Sequence, residues 1–378
     1  MVKVANLTFD SFVNDSRIEK MSKTLSNNGY RVEVIAHLDK GLAKEEKRDN
    51  YFVKRFAYLD REVTRGKFSK LKVYLEYIAK SVKYCKDFDI LHCNDLNTLP
   101  IAFIIKRFYN KDIKVVYDAH EHETETNTLK GWQQRVAKFL EKSLIKYANR
   151  VICVSDAIAN DYAKSYNIEK PAVVLNTPSY KEVKKHNIFR EKFNISKDKT
   201  IFIYQGVLSP GRGIEVILET FKNLSSNDNA VIVFMGFGLL EELIKEYANK
   251  YENIYFHEAV TPDVILNYTS SADFGISTIE DSCLSYRYCL PNKMFEYIMA
   301  NLLLIVSNLP EMKRVVIENN IGVVAKENTP KGLKEAIYEA TKLDKNRLQA
   351  NLERAKKIFN WQKQESILLN IYNSLEEK

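Results

Sequence analysis

The 378-residue chain is short of several things, and each shortage excludes a class of protein. Its five cysteines (Cys85, Cys93, Cys153, Cys283 and Cys289) are an odd number, form no CxxC pair and sit mostly in apolar runs such as RVICVS. That is the pattern of reduced core thiols in a cytosolic protein, not of a disulfide framework. With 12 Gly and 8 Pro against 45% hydrophobic and 28% charged residues, the chain is neither collagen-like nor disordered. No apolar stretch approaches the roughly 20 residues needed to cross a bilayer, and MVKVANLTFD lacks a run of signal-peptide length. The chain is therefore expected to be neither exported nor membrane-spanning. It shows no internal repeat, and it is too long for one compact core but comfortable for two domains.

Excess charge of one sign is missing from half of the chain. Residues 181–378 carry 26 Lys and Arg against 26 Asp and Glu, whereas residues 1–180 carry 31 against 23, so the formal excess of +8 belongs to the first half. The densest basic segment, REVTRGKFSKLKVYLEYIAKSVKYCK from Arg61 to Lys86, interleaves Lys and Arg with Leu, Val, Tyr and Ile. It reads either as a solvated helix face or as a surface that docks on an anionic membrane or lipid phosphate. No recognised nucleic-acid motif accompanies the charge, so nucleic acid is not expected as a partner.

What is present is alternation. VKVANLTF reads as a strand, followed by a helix in which Ile18, Met21 and Leu25 recur at helical spacing, closed by Asn28-Gly29, and then by the strand RVEVIAHL. DILHCND, IKVVYDAHE, a helix over about 131–147, RVICVSD, a further helix and the strand AVVLN follow. The polar TPSYKEVKKHNIFREKFNISKDK reads as a connection between domains. After it come TIFIYQG, a helix over 214–224, AVIVFMGFG, a helix over 239–251, NIYFHEAV, DFGIST, LLLIVS and IGVVAK. The expected fold is α/β, with two Rossmann-like domains facing each other across a cleft. Parallel sheets bind ligands outside the carboxyl ends of their strands, so the site is expected there.

Four strand ends carry polar or glycine-rich chemistry. In YQGVLSPGRGIEVILETF, Gly206, Ser209, Gly211 and Gly213 allow close backbone approach, the following helix offers free N–H groups to an anion, and Arg212 adds a planar donor fork. The bland alternative is a tight turn with an exposed arginine. MGFGLLEEL repeats the strand, glycine turn and helix with Gly236 and Gly238. In YCLPNKMFEYIM, Pro291 suits a helix start, and Asn292 and Glu296 share a helix edge with Lys293 adjacent. A carboxylate so held can accept two ribose hydroxyls while Lys293 reaches a phosphate; a surface Glu/Lys pair is the alternative. The fourth is YDAHEHE. His120 and His122 at i, i+2 point to opposite sides of an extended chain and no HExxH spacing is present, so no metal site is expected. DFD, at Asp87 to Asp89, opens a strand and so stands at the wrong end of the sheet for a metal-binding pair.

The order and spacing of these motifs resemble the GT-B glycosyltransferases, specifically the large retaining family four, over nearly the whole chain. NDSRIEKMSKTLSNNGYRVEVIA, DILHCND, YDAHE, RVICVSDAIAND, the GRG and PNKMFEY segments and NWQKQESILLNIYNSL carry the likeness, which is nearest to a subgroup of bacterial surface-polysaccharide enzymes. The resemblance implies an acceptor domain over 1–178, a donor domain over 179–357 and a final helix over 358–378 that crosses back to the first domain. It implies transfer of a sugar from a nucleotide sugar, UDP-linked in preference to GDP-linked, to a glycan or lipid-linked acceptor hydroxyl, without metal or cofactor. Carried over residue by residue, Arg212 contacts the diphosphate, Glu296 binds the ribose and His120 faces the donor sugar. Gly206, Ser209, Gly211, Gly213, Gly236, Gly238, Tyr288, Asn292 and Lys293 then line the donor side. Asn14 and Arg17, with Asp95, Glu121 and His122, fall on the acceptor side. The chain departs from the family at Tyr288, where its first glutamate would stand, at Val207, where an arginine is usual, and in TFDSFVNDSR, which lacks glycines. A nucleotide-sugar epimerase of the same fold and a catalytically degenerate binding partner are the alternatives. The expected location is the cytoplasm, at the inner face of the cell membrane if the basic half docks there.

Overall fold

The computed structural model describes residues 1–59, 66–224 and 228–376, and the chain divides into two compact units, Met1–Leu175 with Gln364–Lys378, and Asn176–Lys363. The first unit contains β1 (Lys3–Leu7), α1 (Ser16–Asn27), β2 (Arg31–Asp39), β3 (Glu45–Arg48), β4 (Tyr51–Leu59), α2 (Lys67–Cys85), β5 (Ile90–Asn94), α3 (Leu99–Phe108), β6 (Lys114–Ala119), α4 (Gly131–Leu144), β7 (Arg150–Cys153), α5 (Asp156–Tyr166) and β8 (Ala172–Val173). Among the described residues its sheet has the order β3-β4-β2-β1-β5-β6-β7-β8. All neighbours are parallel except the β3–β4 pair.

Local chemistry explains the central elements. Asp15 caps α1 by accepting from the N–H groups of Arg17 and Ile18, and the helix buries Ile18, Met21 and Leu25; such a cap contributes about 1 kcal/mol. Gly29 then takes φ +90°, which turns the chain into β2 at little cost. β1 and β5 bury Val4, Ala5, Leu7, Leu91 and Cys93 completely. Burial also pushes the thiols of Cys85 and Cys153 well up and that of Cys93 to about 12, so these cysteines are inert core groups.

The structure differs from the sequence reading at the sheet edge and in AVVLN. The β3–β4 hairpin was not anticipated, because EEKR carries only charges. At the sheet edge those charges pair, Glu46 with Arg48 and Arg55 and Glu45 with Lys54, which is how an edge strand is kept from further pairing. AVVLN contributes only the two residues of β8. Of the basic segment, Arg61 to Arg65 lie outside the described residues and most of the rest is α2.

The second unit contains α6 (Ile188–Phe193), β9 (Thr200–Val207), α7 (Ile214–Lys222), β10 (Ala230–Phe237), α8 (Glu241–Lys250), β11 (Ile254–Glu258), α9 (Ile265–Thr269), β12 (Phe274–Ser277), α10 (Leu284–Arg287), α11 (Asn292–Met299), β13 (Leu303–Ser307), α12 (Pro310–Asn319), β14 (Gly322–Ala325), α13 (Pro330–Thr341) and α14 (Lys345–Ile358). Its sheet, ordered β11-β10-β9-β12-β13-β14, is parallel throughout. The polar connection is itself structured, since α6 buries Phe189 against His257 and Tyr268. The last helix, α15 (Trp361–Glu376), carries the chain back to the first unit. There the Tyr372 ring meets Tyr30 edge to face and its hydroxyl bonds Nδ1 of His92 at 2.8 Å.

Candidate functional site

In the first unit, the carboxyl ends of β1, β5 and β6 converge on a polar network. Asp118, fully buried, receives a bidentate pair from Arg17, Nε to Oδ2 at 2.8 Å and Nη2 to Oδ1 at 2.7 Å, while Arg17 Nη1 donates to the Val174 carbonyl. Burial alone would raise the Asp118 carboxyl; Arg17 and His120 overcome it and hold it well below the usual carboxylate range. His92, whose affinity for a proton burial lowers, completes the ring with Nε2 3.5 Å from Asp118.

His120 stands at the mouth of this network with a side chain 20% exposed. Nε2 lies 3.0 Å from Asn94 Oδ1 and 3.3 Å from Asp118 Oδ2, and Nδ1 lies 3.5 Å from Asp95 Oδ1. Burial works against its charge, but Asp95 and Asp118 outweigh it and lift the imidazole to about 9. At neutral pH it is therefore an imidazolium, a donor on both nitrogens and not a base. Asn94 is oriented in turn, donating to Asn6 Oδ1 at 2.6 Å and to the Leu7 carbonyl at 2.8 Å. Asp95 holds its place at φ +61°, a strained value for a residue with a Cβ.

Two of the residues expected on the acceptor side are buried. Arg17 is 3% exposed and turns its guanidinium to Asp118 and the Val174 carbonyl. His122 is 2% exposed and turns inward to Asp161 at 2.8 Å, where it fixes the loop. Asn14 and Glu121 are exposed, and Asp95 remains partly open beside His120.

In the second unit the edge is built largely from backbone. Gly206 and Gly236 stand opposite each other in the β9–β10 register. A Cβ on Gly236 would lie 1.9 Å from the Gly206 carbonyl, and one on Gly213 would lie 1.8 Å from the Thr278 carbonyl. Gly213, at φ +75°, caps α7 and leaves its first N–H groups open to an anion. Arg212 sits over the Tyr286 ring at 4.9 Å, with its Nε buried and without a hydrogen-bond partner. Lys293 places Nζ 3.5 Å from the centre of the Tyr204 ring and close to where a Cβ of Gly206 would stand. Burial and Arg212 together hold the Lys293 amine well below the usual lysine range. Glu296, one turn into α11, accepts from Gln205 Nε2 at 2.5 Å, and Thr269 Oγ1 donates to Gln205 Oε1 at 2.7 Å.

The structure thus brings together Gly206, Gly213, Gly236, Arg212, Lys293 and Glu296. Gly211 and Gly238 keep positive φ in the same loops, Ser209 is half-buried, Asn292 is exposed at the start of α11 and Tyr288 is half-buried beyond α10. Sequence reasoning passed over Asp118, His92, Asn94, Tyr204 and Gln205. The available signal was a polar residue inside an otherwise apolar strand, as in ILHCN and FIYQG. Among the described residues no three His, Cys, Asp or Glu side chains are grouped so as to hold a metal ion.

Residues 16–178 match the family described as Glycosyltransferase Family 4, and residues 185–358 match Glycosyl transferases group 1. The chain belongs to glycosyltransferase family 4. No curated protein matches it in sequence. Among solved structures this glycosyltransferase is similar to a sucrose-phosphate synthase from Thermosynechococcus elongatus, at 15% identity and TM-score 0.81 over 99% of both chains. It is also similar to HepE of Anabaena in complex with UDP and glucose, at 14% identity and TM-score 0.73 over 100% of both chains. WaaG, a glycosyltransferase involved in lipopolysaccharide biosynthesis, shares 15% identity at TM-score 0.71 over 99% of this chain and 100% of its own. At these identities the likeness establishes the GT-B fold of the glycosyltransferase.

Proposed function

We propose that this glycosyltransferase moves a sugar from a UDP-sugar to an acceptor hydroxyl with retention of anomeric configuration, in the assembly of a cell-surface polysaccharide or glycolipid. The carrying observation is the cluster at the carboxyl edge of the second sheet. Glycine turns let a diphosphate reach the backbone, Arg212, Lys293 and the start of α7 oppose its charge, and Glu296 is set to accept ribose hydroxyls. HepE, solved with UDP and glucose and with UDP-glucose, supports the choice of base.

In this reading the charge that develops on the departing UDP is stabilised by Arg212, by Lys293 once protonated and by the α7 N–H groups, in place of a metal. Arg212 and Lys293 carry the work of the arginine that Val207 replaces. The His120 imidazolium holds a hydroxyl of the transferred sugar, and a phosphate oxygen takes the proton of the incoming acceptor hydroxyl. Asp95, with Asn14 and Glu121, lies on the acceptor side, and the chain works in the cytoplasm at the inner face of a membrane.

The test is transfer from a panel of nucleotide sugars, with the product's anomeric configuration read by NMR. Arg212→Ala and Glu296→Gln are each expected to lower turnover by about 10²- to 10³-fold. An epimerised nucleotide sugar formed without acceptor would establish the epimerase reading instead. Full activity in both variants would remove the donor assignment.

A further inference from the structure

α4 has a solvent face that a water-soluble helix has no reason to carry. Trp132, Val136, Phe139 and Leu140 recur at i, i+4, i+7 and i+8, and they are exposed by 73%, 47%, 71% and 46%. These spacings put all four on one stripe of the helix. The stripe cannot rotate inward, because the opposite side of α4 is pinned: Glu141 is fully buried and accepts from the hydroxyls of Tyr117, Tyr162 and Tyr166. That carboxylate is the only acid on α4. The exposed charges of the helix, Arg135, Lys138 and Lys142, are all positive, with Lys138 paired to Glu125.

α2 repeats the pattern in its first half, where Phe68, Leu71 and Leu75 are exposed by 89%, 51% and 55% beside Lys72. α3 packs against both α2 and α4, so the three belong to one helix layer of the first unit. Phe108 and Tyr109, exposed at the end of α3, add to the same layer.

We propose that this layer, led by the α4 stripe, seats the protein on an anionic lipid bilayer, with Trp132 and Phe139 entering the boundary between headgroups and acyl chains. The charge fits that occupant. Cations flank the stripe, no exposed acid stands on α4, and the first half of the chain holds the whole positive excess. By sequence the Arg61–Lys86 segment reads either as a solvated helix face or as a surface that docks through its charge. The proposal puts the principal contact on α4 and makes it apolar. The proposal names the surface behind the membrane location in the functional reading and rests on that reading only for its biological sense.

The test uses the full chain with vesicles of phosphatidylglycerol and phosphatidylcholine in equal parts, and with phosphatidylcholine alone. Co-sedimentation is expected with the first and to weaken in high salt. Of the two tryptophans, Trp361 is 5% exposed, so a blue shift of emission on binding should come from Trp132 and vanish in Trp132→Phe. The pair Trp132→Ser with Phe139→Ser should lower vesicle partition at least about tenfold while leaving the rise in melting temperature caused by UDP unchanged. Arg135→Gln with Lys142→Gln should abolish the preference for anionic vesicles. Unaltered binding by the serine variant, or no emission shift, overturns the proposal. So does a dimer in light scattering that the serine variant dissociates while wild type ignores vesicles, since a second copy is then the occupant. UDP binding and transfer to a soluble acceptor are read without vesicles, so a failed functional reading and a failed docking surface give different results.

Discussion

The two sheets follow one pattern of strand and helix yet finish their carboxyl edges in different materials. The first ends in side chains, with Asn94, Asp95, Asp118 and His120 in a hydrogen-bonded and ion-paired network, and no glycine closes any of these strands. The second ends in backbone, with Gly206 and Gly236 face to face and Gly213 under the start of α7. Of the chain's 12 glycines, eight lie in the second unit. A diphosphate is recognised by charge and N–H groups, and removing Cβ atoms brings it close to both. Sugar hydroxyls differ only in direction, and telling them apart takes donors whose orientation is fixed beforehand. The first edge fixes its donors with a buried ion pair, and such a pair must be complete to be tolerated.

That contrast can be broken from either side. Asp118→Asn leaves the Arg17 guanidinium buried without its counter-ion and should cost the first unit about 3–5 kcal/mol. Calorimetry should show that loss while UDP still stabilises what remains folded, and a variant as stable as wild type would mean the network is not a support. Gly213→Ala should act in reverse, losing UDP binding and about 2–3 kcal/mol, because the methyl meets the Thr278 carbonyl at 1.8 Å and φ +75° strains any residue with a Cβ. Wild-type UDP affinity in that variant would show that the turn does not depend on its missing Cβ.

The smallest expected effect sharpens the role of His120. Its folded pKa of about 9 lies above the ordinary 6.5, so the stability it contributes is complete below pH 6.5 and is lost as pH rises through 9. Discounted for the ring's 20% exposure, the contribution is about 2 kcal/mol. Denaturant unfolding at pH 6 and pH 9.5 should show the difference, and His120→Gln should flatten it; an equal slope in wild type and variant would mean that the ring is neutral.

Much of the fold was legible because buried parallel strands are near-continuous apolar runs, as in KVVYDA and AVIVFMGF, and glycine turns punctuate them. The hairpin was not, since an edge strand such as EEKR is stabilised by cross-strand charge pairs that leave no apolar period to read. At the carboxyl edge of the second sheet, Arg212, Lys293 and Glu296 were visible as polar residues at predictable strand and helix ends. The supports were not. Nothing local in SRIEK says that Arg17 turns inward, because its partner Asp118 lies 101 positions along the chain. The apolar face of α4 escaped for a related reason: a stripe of Trp, Val, Phe and Leu reads as core until the three tyrosines on Glu141 show which side is already occupied.

The hydroxyl of Tyr372 on His92 has a consequence in time. A ribosome delivers β1 to β8 first, then all of the second unit, and only afterwards the helix that completes the first core. The sheet that is made first is therefore finished last. Until α15 arrives, His92 lacks its tyrosine and Tyr30 its ring partner, and these surfaces must wait, open to solvent or to a chaperone, while the second unit folds.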